Sequence, residues 1–149
     1  MSSPRMDRYV PLIREFAARD ALFHDAVARR LGLHSTDEKV LRLLGDKALT
    51  AGDLVAYTGL TGAAVTALVD RLQRLGYVTR ERDSGDRRKI AIRAVAARLR
   101  EINRLYKGLH DAMEALFATY DAAEFAVIAD YLARATHILA EETARLRDK

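Results

Sequence analysis

The spacing of apolar residues along the chain predicts a mainly helical protein. Steps of three and four residues, which place side chains on one helix face, occur in one long segment (7–31), in three short segments between residues 35 and 75, and in two long segments within 96–148. Glycine follows each of the first four segments, as it commonly does at helix ends. Because proline is tolerated only in a first turn or at a kink, we expect the regular part of the first helix to begin near Pro11.

Polar residues at two helix starts support this division. Ser35 and Glu38 have the spacing of a capping box, in which a hydroxyl and a carboxylate each accept a backbone N–H of the first turn. Asp53 lies in the first turn after Thr50, where its charge interacts favourably with the helix dipole. We therefore expect short helices to open at Ser35 and Thr50.

The apolar period changes from helical to alternating between residues 77 and 94. Every second position from Ile90 to Ala94 is isoleucine or alanine, in the pattern of a β-strand. Residues 77–82 are the candidate partner strand, and the intervening Asp83-Ser84-Gly85-Asp86 is rich in turn formers. Short helices followed by a β-hairpin predict a winged helix-turn-helix, in a fold class that is mainly α with a small β-wing (α+β).

The helix predicted over Thr61 to Leu75 has two faces of different character. Its apolar stripe, expected to pack on the preceding helices, consists of Val65, Leu68, Val69, Leu72 and Leu75. Its opposite face, which Gly62 and Arg71 flank, consists of Ala63, Thr66, Ala67, Asp70 and Arg74. Short side chains let a helix enter the DNA major groove, where bulky ones would hold it out. We therefore predict that this helix, capped by Thr61, reads DNA.

The long terminal helices carry more apolar surface than a DNA-binding core needs. After the wing the apolar residues follow a heptad repeat, the pattern of helices that pair, and the simplest partner is a second copy of the chain. We predict one domain over residues 1–149, with 35–94 as the DNA-binding region and 7–31 and 96–148 as dimerisation helices. The candidate dimerisation residues are Leu12, Phe16, Leu109, Met113, Leu116, Phe125, Leu132 and Leu139.

Positive charge is concentrated around the predicted wing. The whole chain has a formal net charge of +4, but residues 71–100 hold ten basic residues against three acidic ones, a local charge of +7. This distribution indicates a polyanionic partner, whereas a merely solvated basic face would not have to coincide with the hairpin.

Several kinds of function lack the residues they need. The absence of cysteine excludes disulfides and thiol redox switching. His24, His34, His110 and His137 have no metal-ligand spacing, so we expect no metal or cofactor, and the histidines are either surface residues or lie around an effector cavity. The common hydrolase and nucleotide-binding motifs are absent, so no catalytic residues are expected. Without a long apolar segment or a signal core, we expect no membrane span and a cytoplasmic location.

Two motifs carry a resemblance to a known family. The segment VTALVDRLQRLGYVTR at Val65 to Arg80, followed by DSGDRR at Asp83 to Arg88, resembles the multiple-antibiotic-resistance regulator (MarR) family of winged-helix transcription factors. The family's wing signature is D-P-x-D-R-R, and Ser84 stands here where proline is usual. The order of one long helix, three short helices, a wing and two long helices also fits over nearly the whole chain.

The resemblance implies a homodimer that binds a near-palindromic operator in double-stranded DNA. By its place in the D-R-R motif, Arg88 would enter the minor groove with Asp86 holding it, while Arg87 would reach phosphate or pair with Asp83. Asp83 and Asp86 are thus the predicted wing-structuring residues. The full set of predicted DNA-binding residues is Thr61, Ala63, Thr66, Ala67, Arg71, Arg74, Asp86, Arg87, Arg88 and Lys89.

One position departs from the family pattern. The family often has arginine or another long polar residue where this chain has Ala67, so few groups here can make bidentate base contacts. We expect base contacts from Thr61 and Thr66, phosphate contacts from Arg71 and Arg74, and specificity that depends more on the wing and on DNA shape. Arg74 is alternatively a surface partner of Asp70 at i,i+4 spacing.

The sequence therefore predicts a dimeric, sequence-specific DNA-binding regulator, a repressor released by a small-molecule effector. The alternative is a winged-helix protein that binds DNA without regard to sequence, or that binds other proteins. The sequence names neither the effector nor the genes controlled.

Overall fold

The computed structural model describes residues 3–82 and 89–147. The elements along the chain are α1 (Pro4–Leu31), α2 (Ser35–Leu44), β1 (Ala48–Thr50), α3 (Ala51–Thr58), α4 (Gly62–Arg74), β2 (Val78–Arg82), β3 (Ile90–Ala94), α5 (Ala96–Phe117) and α6 (Ala122–Arg147). The predicted fold class, mainly helical with a small antiparallel sheet, is confirmed.

Helix α1 begins earlier than the sequence analysis expected. It starts at Pro4, and Pro11 lies inside it, so the expected start near Pro11 was wrong. Proline removes one backbone donor, but the turns before Pro11 keep their bonds; the N–H groups of Met6 and Asp7 both donate to the carbonyl of Ser3, at 2.7 and 3.1 Å. The helix ends as predicted at Gly32, whose φ of 69° is the left-handed conformation that glycine adopts most easily.

A three-stranded antiparallel sheet holds the base of the wing. The strand order is β1-β3-β2, so β3 is central, and Ile92 lies between Leu49 of β1 and Arg80 of β2. Both predicted wing strands are present. Strand β1 was not predicted, because three residues are too few to show an alternating pattern.

The chain divides into two compact units, residues 1–103 and 104–149. The first unit has a core formed by α2, α3, α4 and the sheet, in which the most fully buried apolar residues are Val40, Leu41, Leu44, Leu54, Val65, Val69, Leu72 and Val78. The boundary between the units falls within α5, whereas the sequence analysis ended the DNA-binding region before this helix.

The second unit consists of the rest of α5 and helix α6. The rings of Phe117 and Phe125 meet edge to face across the turn, with centroids 5.3 Å apart. Asp121 caps α6 by accepting the N–H groups of Ala123 and Glu124 at 2.8 and 2.9 Å, and Glu124 accepts the N–H of Asp121 in return. Every residue of α6 is described, and none of them is buried.

No single helix within residues 3–82 and 89–147 is long and apolar enough to cross a membrane. Helices α3 and α4 pass that test only when taken together, and they are bent by 114° at their junction.

Candidate nucleic-acid interface

Helices α3 and α4 form a helix-turn-helix. They are separated by three residues and cross at 114°, within the range of about 90–120° that is typical of this motif. The hydroxyl of Thr58 stabilises the turn, since it donates to the carbonyl of Leu54 at 2.6 Å and accepts the N–H of Leu60 at 3.2 Å. Thr61 caps α4 as predicted, accepting the N–H of Ala64 at 3.2 Å.

The two faces of α4 differ in burial as their sequence predicted, with one exception. The buried stripe consists of Val65, Leu68, Val69 and Leu72. The residues of the opposite face are all exposed, namely Ala63, Thr66, Ala67, Asp70 and Arg74. The exception is Leu75, predicted to point inward but 44% exposed, because the helix ends at Arg74 and Leu75 is its C-cap.

Arg71, predicted to contact phosphate, is engaged inside the protein. Its Nε donates to Asp37 Oδ2 at 3.1 Å and its Nη2 donates to Asp37 Oδ1, and Asp37 is fully buried on α2. The hydrogen bonds to Asp37 raise the pKa of Arg71, although partial burial opposes this. The pair of Arg71 with Asp37 joins α4 to α2 and fixes the position of α4.

The capping box predicted at Ser35 and Glu38 is not formed. Helix α2 has His34 as its N-cap residue, and the His34 N–H donates to Asp37 Oδ2 at 3.2 Å. Ser35 instead donates to Asp25 of α1 at 2.6 Å, while Glu38 lies 3.2 Å from Arg42 Nε. The prediction failed because α2 begins one residue earlier than expected, so Asp37, and not Glu38, stands three residues after the N-cap and accepts its N–H.

A second buried polar cluster joins α2 to α1. The His24 ring is buried; its Nε2 lies 3.2 Å from Asp20 and 3.0 Å from Arg42 Nη1, and its Nδ1 lies 3.7 Å from Glu38. Sequence reasoning missed the buried polar contacts that Asp37, Glu38 and His24 make. The available signal was a pair of adjacent acids directly before the apolar run of α2.

Asp70 pairs with a residue of the wing base and not with Arg74. Its Oδ1 accepts Nη2 of Arg80 on β2 at 2.6 Å, and Arg80 Nη1 also donates to Gln73 Oε1. The i,i+4 pair of Asp70 with Arg74 is thus replaced by a contact with Arg80 of the adjacent strand, to whose guanidinium α4 offers two acceptors, Asp70 and Gln73. Arg74 is exposed on the reading face, and its contact with DNA stays a prediction.

The predicted wing tip lies outside the described residues, so Asp83, Asp86, Arg87 and Arg88 remain as the sequence analysis left them. Lys89, directly before β3, is exposed. Nearby, hydrogen bonds from the backbone and side chain of Thr50 lower the pKa of Asp53, with a smaller contribution from Lys89. Asp53 forms the capping box of α3 with Thr50.

Most of the predicted dimerisation residues are exposed. Large apolar side chains are exposed to solvent on α1, α5 and α6, among them Leu12, Phe16, Leu116, Phe125, Leu132 and Leu139. Leu109 and Met113 are half-buried. Their contact with a second subunit stays a prediction. Within residues 3–82 and 89–147 no group of three or more acidic or histidine side chains is arranged to hold a metal ion.

Comparison with known proteins agrees with this geometry. A family model described as the MarR family matches residues 31–89. YcgE of Bacillus subtilis (strain 168), an uncharacterized HTH-type transcriptional regulator, is 40% identical over 139 residues, which cover 93% of this chain and 90% of YcgE.

Solved structures share the fold at lower identity. A mutant of MepR from a multidrug resistant S. aureus clinical isolate superposes with a TM-score of 0.72 and 18% identity, covering 88% of this chain and 96% of MepR. Another S. aureus MepR mutant, bound to an oligodeoxyribonucleotide, has a TM-score of 0.56 and 21% identity, covering 88% and 97% of the two chains.

The helix-turn-helix with its three-stranded wing base defines the class of the molecule as a winged helix-turn-helix DNA-binding protein. Its likeness to YcgE over nearly the full length of both chains, together with the family match, narrows that class. The chain belongs to the MarR family of transcriptional regulators.

Proposed function

We propose that the protein is a homodimeric repressor that binds a near-palindromic operator and is released from it by a small-molecule effector. The observation that carries the proposal is the outward face of α4. Ala63, Thr66 and Ala67 are short and exposed there, whereas the other side of the helix is buried. A face of this shape fits the DNA major groove.

The hydrogen bonding of α4 suggests which base edges it reads. The Thr66 hydroxyl donates to the carbonyl of Gly62 at 3.0 Å, so it presents lone pairs outward. It can accept a hydrogen bond from the amino group of adenine or cytosine, while Ala63 and Ala67 can contact thymine methyl groups. Because these contacts are few, the remaining specificity comes from the wing arginine Arg88 and from DNA shape.

The exposed apolar residues of the long helices support the homodimer. Many large apolar side chains are rarely left exposed on a soluble monomer, and here they are exposed on α1 of the first unit and on α5 and α6 of the second. A symmetric dimer presents two copies of α4, and we expect half-sites about one helical turn of DNA apart. A MepR mutant is bound to an oligodeoxyribonucleotide, which supports DNA as the ligand of this fold.

Repression and effector release rest on membership of the family. Expression of a reporter from the protein's own promoter tests the sign of regulation. Deletion of the gene is expected to raise reporter expression, and a fall in expression would make the protein an activator.

Competition binding at fixed salt tests sequence specificity. A regulator of this kind should prefer its own promoter over random duplex DNA by about 10³-fold or more. Equal affinity for both duplexes would favour the sequence-independent alternative and overturn the operator proposal.

The same assay tests the wing. Arg88→Ala is expected to weaken promoter binding by about 1–3 kcal/mol and to reduce its salt dependence, while sedimentation still shows the dimer. The matched control is Arg134→Ala, which removes an exposed cation paired with Asp130 on α6 and should leave DNA binding unchanged. Promoter affinity in Arg88→Ala equal to that of the wild type would refute the wing assignment.

A further inference from the structure

We propose that Asp70 determines DNA specificity by holding Arg80 on the protein, so that this arginine does not bind DNA phosphates of any sequence. The inference rests on the proposed sequence-specific binding and adds a residue pair that restrains non-specific binding. Neither Asp70 nor Arg80 was among the predicted DNA-binding residues.

Arg80 is held beside the exposed face of α4, the face proposed to read DNA. Asp70 is exposed on the same face of α4 as Thr66 and Arg74, and Arg80 reaches it from β2. The Nη2–H of Arg80 donates to Asp70 Oδ1 at 2.6 Å and its Nη1–H donates to Gln73 Oε1, so the guanidinium is held at two points. Asp70, Gln73, Arg74 and Arg80 line one surface groove between the helix and the strand.

The exposed pair of Asp70 with Arg80 contributes little to the stability of the fold. The Asp70 and Arg80 side chains are 54% and 30% exposed, and ion pairs this accessible to water contribute about 0–1 kcal/mol. The pair of Arg71 with Asp37 is different, since the carboxylate is fully buried and its separation from the guanidinium costs about 3–5 kcal/mol. Loss of the Asp70 carboxylate therefore frees Arg80 at little cost in stability, whereas Arg71 stays paired with the buried Asp37.

The charge of the groove explains why Asp70 matters for specificity. With Asp70 present, the groove residues carry a net charge of +1, from Arg74 and Arg80 against Asp70; without it they carry +2. Non-specific binding depends almost entirely on how many phosphates the protein neutralises, whereas operator binding also uses base contacts. Removing Asp70 therefore strengthens binding to random DNA more than binding to the operator.

Asp70→Asn tests the inference, because asparagine keeps the shape and removes the charge. Binding of the full-length variant to random and promoter duplexes is measured from 50 to 200 mM salt. We expect random-duplex affinity to rise about five- to tenfold per subunit at 0.1 M salt, and the slope of log K against log[salt] to steepen by about 0.9. Promoter affinity should rise less, so the ratio of promoter to random affinity falls.

Two further variants separate the causes. Asp111→Asn removes an equally exposed acid, paired with Lys107 at 2.5 Å on α5, and should leave both affinities unchanged. The double variant Asp70→Asn/Arg80→Gln should return random-duplex affinity and salt slope to wild-type values. If the double variant kept the gain of Asp70→Asn, Arg80 would not be the released cation, and the inference would be wrong.

Other outcomes also decide the matter. Equal losses of both affinities in Asp70→Asn would make Asp70 only a structural support of the wing base and overturn the inference. An unchanged random-duplex affinity would overturn it as well. A wild-type protein without promoter preference would refute the proposed function, yet the random-duplex measurements on the variants would still show whether Arg80 is released.

Discussion

The two compact units use similar apolar patterns in different ways. In residues 1–103 the stripes of α2, α3 and α4 meet one another, and Leu44, Leu54 and Leu72 are completely buried. In residues 104–149 helix α6 has an equally regular stripe, yet Leu139 is 68% exposed and no residue of this helix is buried. An apolar stripe therefore indicates a face to be covered but does not say what covers it.

The ion pairs of the two units also differ in how deeply they are buried. The first unit contains ion pairs with fully buried carboxylates, at Asp37 and Glu38. The second unit has exposed i,i+4 pairs such as Lys107 with Asp111, whose energetic contribution is small. Buried pairs require one relative placement of helices, so the ion pairs of the first unit fix the position of α4, whereas the exposed pairs of the second unit impose no such constraint.

The largest expected effect comes from a substitution in the apolar stripe of α6, which we propose to lie in the dimer interface. Leu139→Glu would bury an unpaired charge in each half of a symmetric interface, and at about 3–5 kcal/mol per charge the dimer should dissociate at least about 100-fold more readily. Sedimentation equilibrium measures this. Ala133→Glu, which adds the same charge about 120° around α6 from Leu139 and away from its apolar stripe, is the control and should stay dimeric. A full dimer in Leu139→Glu would remove this stripe from the interface.

A smaller effect tests the ion pair of Arg71 with the buried Asp37, which positions α4. Arg71→Ala leaves Asp37 buried without its cation, and we expect the free energy of unfolding to fall by about 3 kcal/mol, the low end for such pairs, because the Arg71 side chain is 32% exposed. Urea denaturation at fixed protein concentration measures it. Arg74→Ala, one turn along the exposed face, should change stability by about 0.5 kcal/mol or less. Equal stability of Arg71→Ala and the wild type would contradict the role of this pair.

The smallest effect concerns the start of α3 and depends on pH. Hydrogen bonds from Thr50 lower the pKa of Asp53 below its usual value of 3.8, so the folded state favours the charged carboxylate. Stability from this group is present above that usual value and is lost as pH falls through the lowered pKa. Melting temperatures of the wild type and Asp53→Asn should therefore differ at neutral pH and converge in acid. Asp130→Asn on α6 is the control, and a constant difference across pH would contradict the assignment.

Much of the fold follows from local sequence. The helices, their glycine ends at Gly32 and Gly59, and strands β2 and β3 could be predicted because periodicity and backbone preference act between residues a few positions apart. The two faces of α4 were predicted for the same reason. The family motifs, VDRL in the segment of α4 and DRR in the predicted wing tip, gave the class of function.

The tertiary structure alone decided which charged groups meet. Arg71 and Asp37 are 34 positions apart, and Arg80 meets Asp70 across ten positions through the packing of β2 on α4. The sequence offered Arg74 to Asp70 at ideal helical spacing, but the strand supplied a cation with a second acceptor nearby. Pairing between ionisable side chains depends on distances and burial set by packed elements, so Arg71 anchors α4 to the buried Asp37 and Arg80 pairs with Asp70 on the exposed face of α4.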